Sequence, residues 1–414
     1  MATWKRAFYT LFIAELLVIA GMQSVTPFLP YYVQDLGVED LSAALIWAGR
    51  IGTVSGLAMA VSAPIWGYLA DRIGRKPMVV RSMLGGALAL VLAAYVRDPG
   101  ELFWVRCLHG VLSGTVTACV ALVATSTPRA QLGFALGGMQ AVFMLGGTIG
   151  PYVGGELVER FGFRGTFLVA SVCSLIGGLM VQAFVREEFR RDTASAGATG
   201  GAARPGLFRD TRRVLQIRPF RLLVIGSLVS QFSFALSMPV LPLFLQRLAG
   251  GGEVVATAGK IFGLAGLSGA LASLALGRYA ETLGFRIVLA SSLVLSALIA
   301  VGQGFALNSF QLGGLVVAGG AAAGAVRPVI NLIMTRCVSE SDRGVAVGVI
   351  ASASALGWGV GPILGGYMGA ELGLRAVFWL MALLFGLLAA IFWTGIGRDA
   401  SGVVPPQQLD QAEE

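Results

Sequence analysis

The sequence predicts an all-α membrane protein of twelve transmembrane helices, arranged as two pseudo-symmetric six-helix bundles. Three observations predict it. The 414 residues are 56% hydrophobic and only 13% charged, with a mean hydropathy of +0.78, against about 25% charge in soluble domains. The chain divides into a dozen apolar runs, each near the ~20 residues that a spanning helix needs. The two halves also repeat one another at a spacing of 210 to 212 residues.

The first run, 8–30, follows Lys5 and Arg6 and has no small-x-small cleavage site behind it, so it reads as a retained helix. Runs at 44–66, 77–96, 101–124, 133–155 and 164–185 complete a first bundle, 1–185. The stretch 186–219 carries Arg186, Arg190, Arg191, Arg204, Arg209, Arg212, Arg213 and Arg218 around an Ala/Gly/Thr-rich core, and reads as a flexible basic linker at the membrane surface. Runs at 220–245, 254–276, 287–307, 310–335, 344–369 and 374–396 form the second bundle, 220–414, which ends in a short tail.

An even number of spans puts both termini on one side. Of the 30 Lys and Arg, 21 fall on that side and 6 on the other, while Arg50, Arg106 and Arg327 fall inside spans. By the positive-inside rule the termini, the linker and the tail are cytoplasmic. The same distribution accounts for the net charge of +8 without nucleic acid as a partner. Cys107, Cys119, Cys173 and Cys337 stand singly, without CxxC spacing, and read as packing residues rather than as disulfides or metal ligands.

The repeat is carried by several motifs. Gly150-Pro151-Tyr152-Val153-Gly154-Gly155 recurs as Gly361-Pro362-Ile363-Leu364-Gly365-Gly366, and Gly162-Phe163-Arg164 as Gly373-Leu374-Arg375. Pro27 and Pro30 match Pro239 and Pro242, and Gly67 and Gly74 match Gly277 and Gly284. Two parallel six-helix repeats enclose a cavity that opens to either side by rocking, which is the geometry of a transporter.

After the second helix comes Gly67-Tyr68-Leu69-Ala70-Asp71-Arg72-Ile73-Gly74-Arg75-Lys76. Gly67 allows close helix approach, Gly74 permits a tight reversal, and Asp71 is placed to accept hydrogen bonds from a helix N-terminus or an Arg. An ordinary basic turn is the plainer reading. In the fifth helix Gly146, Gly147, Gly150, Gly154 and Gly155 leave one face nearly bare backbone for close packing, with Pro151 permitting a bend. Packing alone would account for that motif too.

These segments resemble the major facilitator superfamily over nearly the whole chain, and within it the twelve-span drug:proton antiporter group of multidrug or tetracycline-type efflux pumps. The loop resembles the family's signature loop, the GPxxGG helix its antiporter motif, and Trp104 to Gly110 its third signature, with His109 where a Gln is often found. Pro27 to Pro30 is similar to the first helix of the drug:proton antiporters. The resemblance implies a conformational latch at Asp71, partnered by Arg72 and Arg75, and a proton-tuning role for Arg106. It also implies a cavity lined by helices one, four, seven and ten. The second copy of the loop, Gly277 to Gly284, is degraded, so the main latch is expected in the first half.

Of the 22 acids, Glu15 falls inside a span. A carboxylate in a membrane is costly and faces a cavity or a partner, unless it snorkels to the interface. Glu15 is therefore the candidate for binding and releasing a coupling proton. By depth its expected partner is Arg327, across the two halves. Arg106 and His109 share a helical face with Ser113 and Thr117 that would line the cavity. A packed, hydrogen-bonded His109 is the plainer alternative, and Arg50 has no evident role.

Candidate substrate contacts are Met22, Gln23 and Thr26 in helix one, Gln231, Phe234 and Met238 in helix seven, and Arg327 and Asn331 in helix ten. Flexible, apolar and aromatic side chains with a few hydrogen bonders suit hydrophobic or cationic drug-like molecules, although Phe234 and Met238 also suit core packing. The expectation is proton-coupled efflux across a bacterial inner membrane by a monomer driven by the proton gradient, without metal or cofactor. A symporter, or an exporter of a lipid or biosynthetic metabolite, is the alternative within transport. An enzyme or sensor is disfavoured, since no catalytic cluster or phosphate-binding loop is present.

Overall fold

The computed structural model describes residues 3–187, 207–250, 254–339 and 342–395, and all regular structure there is helical. Eleven helices are long and apolar enough to cross a membrane. One of them, Arg129–Phe184, is 56 residues long, far more than one crossing needs. Gly162, at φ 66° and ψ 177°, breaks it into spans five and six. Twelve spans result. Their outer faces are apolar: Val61, Trp104, Leu274 and Phe310 are each 70% exposed or more, as lipid-facing side chains should be.

Four spans that the sequence reads as continuous are broken. Span one runs Thr3–Gln23 and Leu29–Asp35 around a 3-10 turn at Thr26–Phe28, and span seven runs Arg218–Leu236 and Val240–Ala249. Span four is Pro99–Leu112 and Thr115–Ser126, and span ten Ser309–Gly324 and Val326–Cys337. The cause in spans one and seven is their prolines, which supply no N–H to the preceding turn. Hydroxyls take up carbonyls freed there: Ser24 Oγ donates to Gly21 O at 2.7 Å and Ser237 Oγ to Phe234 O at 2.8 Å. In span four the cause is Gly114, held at φ 108°, a conformation that side chains disfavour.

The unbroken spans are two, Leu41–Ile73; three, Arg75–Ala94; eight, Val254–Leu283; nine, Phe285–Phe305; eleven, Arg343–Glu371; and twelve, Leu374–Gly395. Their ends repeat between halves. Gly74 and Gly284 make the same positive-φ reversal, as do Gly162 and Gly373. Span four starts on a reciprocal cap in which Asp98 accepts from Glu101 N and Glu101 accepts from Arg97 N. Span ten starts likewise, with Asn308 accepting from Gln311 N and Gln311 from Leu307 N.

The chain forms two compact units. The first is Met1–Ala202 with Ala249–Leu264, and the second Ala203–Leu248 with Ala265–Glu414. In the first, span one lies along span five, and in the second, span seven lies along span eleven. Part of the basic linker is ordered, which corrects its reading as a flexible tether throughout. Leu207–Gln216 is a helix whose Val214 is fully buried and whose Arg213 reaches Asp342 at 4.0 Å. Residues 188–206 and the tail from 396 lie outside the described residues.

Candidate functional site

The first unit buries an acid. Glu15, in the middle of span one, is 1% exposed, in a core formed by Leu11, Val18, Met83, Leu122 and Met139. Its Oε2 accepts a hydrogen bond from Cys119 Sγ at 3.2 Å, and its Oε1 has no hydrogen-bond partner among the described residues. The carboxylate is thus held from within its own bundle. Cys119, read from sequence as packing, is a polar contact of the buried acid, and the Thr115 hydroxyl is a second polar group beside it. No spacing signal marks that pairing, because residues 15 and 119 meet only through tertiary packing.

Cys119 faces span one because span four is broken one turn earlier. The freed carbonyls are held from two other spans: Trp66 Nε1 donates to Val111 O at 2.6 Å, and Arg81 donates to Leu112 O at 3.0 Å and to Ser113 O at 3.4 Å. The Arg81 guanidinium lies 3.6 Å from the Trp66 ring centroid, a close cation–π contact. Sequence reasoning missed both residues. It counted Arg81 with the cytoplasmic loops, although 77–96 already contains it, and an indole N–H inside a span was itself a signal that an acceptor is needed.

Arg106 and His109 are each 4% exposed, on the first segment of span four. Arg106 Nε and Nη1 and His109 Nδ1 have no hydrogen-bond partners among the described residues. Thr117 is exposed and Ser113 half-buried. The expected polar stripe through Arg106, His109, Ser113 and Thr117 is therefore not one face, because Gly114 interrupts the helical register on which it was drawn. Arg106 precedes Cys119 by thirteen residues, which at ~1.5 Å per residue is roughly 20 Å along the span. The buried acid and the buried base are separate sites.

In the signature loop Gly74 makes the expected reversal at φ 109°. Glu187, at the end of span six, then accepts from Arg75 N at 2.9 Å and Lys76 N at 2.8 Å, an anion on a helix N-terminus. Arg72 stacks on Tyr68 at 4.3 Å. Asp71 lies in the last turn of span two, and its side chain lies outside the described residues. A Cβ built on Gly67 would meet nothing within 4 Å among the described residues, so no close approach is seen there. Glu187 was not anticipated, being one acid in a charged linker.

In the GPxxGG helix three of the five glycines share the expected packing face. A Cβ on Gly146 would strike Ile19, on Gly150 Gln23, and on Gly154 the Ser24 backbone, so one glycine face carries span one. Gly147 faces open space and is not part of it. Gly155, with Pro151 O, instead receives the start of span eight, where its Cβ would lie 3.2 Å from Gly259 Cα. There Glu159 accepts from Ala256 N at 2.8 Å and Lys260 pairs with Glu156 at 3.2 Å. All of these residues belong to the first unit.

Of the proposed substrate contacts, Met22, Gln23, Thr26, Gln231 and Met238 are half-buried around the breaks of spans one and seven, and Arg327 and Asn331 are exposed on span ten. Phe234 is 51% exposed and stacks on Trp358 of span eleven at 5.9 Å. That pairing argues against simple core packing for Phe234 and adds Trp358, which sequence reasoning had passed over.

Comparison with known proteins agrees with this geometry. The family model of the Major Facilitator Superfamily matches residues 11–284 and 223–412. Multidrug resistance protein MdtG of Citrobacter koseri is 31% identical over 396 residues, covering 95% of this chain and 96% of its own. The protein of the same name from Enterobacter lignolyticus is 29% identical over 412 residues, covering 99% and 96%. Among solved structures, a mutant of nucleoside transporter NupG superimposes with a TM-score of 0.76 at 17% identity, covering 94% of this chain and 100% of that one. A bacterial homologue of the human lysosomal transporter Spinster gives 0.76 at 15%, covering 94% and 96%. At those identities the structures share the fold.

Proposed function

We propose, starting from the fact that this chain belongs to the Major Facilitator Superfamily, that it exports small hydrophobic or cationic drug-like molecules across a bacterial inner membrane in exchange for protons. The observation that carries the reading is Glu15. A carboxyl group deep in a membrane bundle, with one oxygen unpartnered, is a functional group before it is a structural one. The multidrug resistance relatives, aligned over nearly their full length, support the substrate class.

In this reading Glu15 takes up a proton from the outer side and releases it to the cytoplasm as the two bundles rock. Each half offers substrate apolar surface with a few hydrogen bonders at its broken span, Gln23 in the first and Gln231, Phe234 and Met238 in the second. Asp71, with Arg72 and Arg75, latches the cytoplasmic side, and Arg106 with His109 tunes the coupling from its separate pocket. The chain works as a single copy with both termini in the cytoplasm, on the proton gradient alone, and makes no covalent bond to its substrate.

The test is a drug-susceptibility panel in an efflux-deficient host carrying this chain, its Glu15→Gln form or its Asp71→Ala form at matched expression. The native chain should raise tolerance to several lipophilic cations, and both variants should lose that gain. Full resistance with Glu15→Gln would reject the coupling role. No gain from the native chain would reject drug export.

A further inference from the structure

The reading above uses Glu15 but leaves unexplained why its carboxylate sits in an apolar core with one oxygen bonded and the other bare. We propose that Cys119 is a positioning residue for that carboxylate: its thiol holds Oε2 inside the first bundle and presents Oε1 as the oxygen that takes the proton. The inference rests on the proton-coupling role assigned to Glu15.

Three observations carry it. Cys119 is fully buried, and its sulfur lies 3.2 Å from Oε2, within range for a thiol donor. Oε1 is buried too and makes no hydrogen bond of good geometry among the described residues; with the Thr115 hydroxyl as the other polar group beside the carboxyl, Cys119 fixes one oxygen and leaves the other to form an O–H bond. Finally, the register that brings Cys119 to span one is set by the break at Ser113–Gly114, whose carbonyls Trp66 and Arg81 hold. A thiol is a weak, uncharged donor, so it orients a carboxylate without stabilising the ionised form as strongly as an Arg or Lys would. Protonation then makes one bond, at Oε1. The thiol keeps its own hydrogen throughout, and substrate arrival returns the proton to water.

Serine keeps a donor at position 119 and alanine does not, while both are smaller than cysteine, so comparing the two variants isolates the hydrogen bond from the packing. Full-length protein in proteoliposomes would be assayed with tetraphenylphosphonium, both for uptake driven by a pH gradient and for counterflow without one. Cys119→Ala should cut gradient-driven uptake about tenfold, the scale of one lost hydrogen bond of ~1.4 kcal/mol, and leave counterflow near native. Cys119→Ser should restore it. Native coupling in Cys119→Ala, or an equal loss of counterflow, overturns the proposal.

Infrared difference spectra after a pH jump give a readout that needs no substrate. The carboxyl C=O band that disappears in Glu15→Gln should move in Cys119→Ala and return in Cys119→Ser. An unmoved band also overturns the proposal. Persistence of gradient-driven uptake in Glu15→Gln would instead reject the functional reading on which it rests, so the two failures are distinguishable.

Discussion

The two halves differ in their buried polar groups and agree where backbones touch. Gly110 packs on Ser55 O and Gly320 on Ala265 O; Gly154 meets the Ser24 backbone and Gly365 that of Leu236. At equivalent positions, however, Glu15 corresponds to Ser227, Cys119 to Val329, Arg106 to Val316, His109 to Gly319 and Arg81 to Ser291. Each of those exchanges replaces an ionisable group by an uncharged one, and all but Cys119 to Val329 by a smaller one. Close packing tolerates no side chain at its glycines, so it is kept in both copies. At these positions the buried ionisable groups are confined to the first copy.

Four experiments would break or sharpen that contrast. The largest effect is expected at the acid: Glu15→Gln should abolish export driven by a pH gradient in inverted vesicles, while Ser227→Ala, at the matching position, should leave it intact. Equal losses would dissolve the asymmetry. Next comes the shared scaffold, where Gly154→Leu and Gly365→Leu should each lower thermal stability in detergent, by ~1–3 kcal/mol or more from overpacking. Gly147→Ala, whose new methyl meets only open space, should be silent in the same assay, and a large loss there would contradict the packing face.

A smaller effect is expected at the clasp on span four. Arg81→Met leaves the Leu112 and Ser113 carbonyls without their side-chain donor, at a cost of ~1–3 kcal/mol. Ser291→Ala loses only a hydroxyl bond to Val288 O within its own helix and should unfold near the native temperature. The smallest effects belong to the caps: Asp98→Ala and Asn308→Ala should each cost ~0.5–2 kcal/mol, and by similar amounts. A marked difference between them would show that spans four and ten are not held alike.

Much of this was legible in the chain. Hydropathy and the repeat give twelve spans in two related sets because both are properties of local composition and spacing. The reversal at Gly74 and the glycine face of span five were also readable, since each follows from a residue's size. What was not legible depends on partners remote in sequence. Cys119 looks like any packing cysteine until Glu15 is placed against it, and Glu187 like any linker acid until it caps span three. Periodicity failed in one specific way: Gly114 breaks the register of span four, so a stripe drawn through Arg106 and Thr117 on an ideal helix joined residues that do not share a face. Prolines in spans one and seven were noted as repeat markers, but their effect on continuity was not followed through.

The first unit also holds Ala249–Leu264, a segment delivered by the second half of the sequence, while the rest of the same helix, Val254–Leu283, belongs to the other unit. That ownership bears on how the polypeptide is made and how it can be cut. During synthesis the first bundle emerges with the groove beside Gly155 and Pro151 unfilled, and completes its packing only after span eight is inserted. A fragment ending in the linker would leave the membrane with bare backbone along that groove. Two fragments split there should become protease-resistant only when produced together.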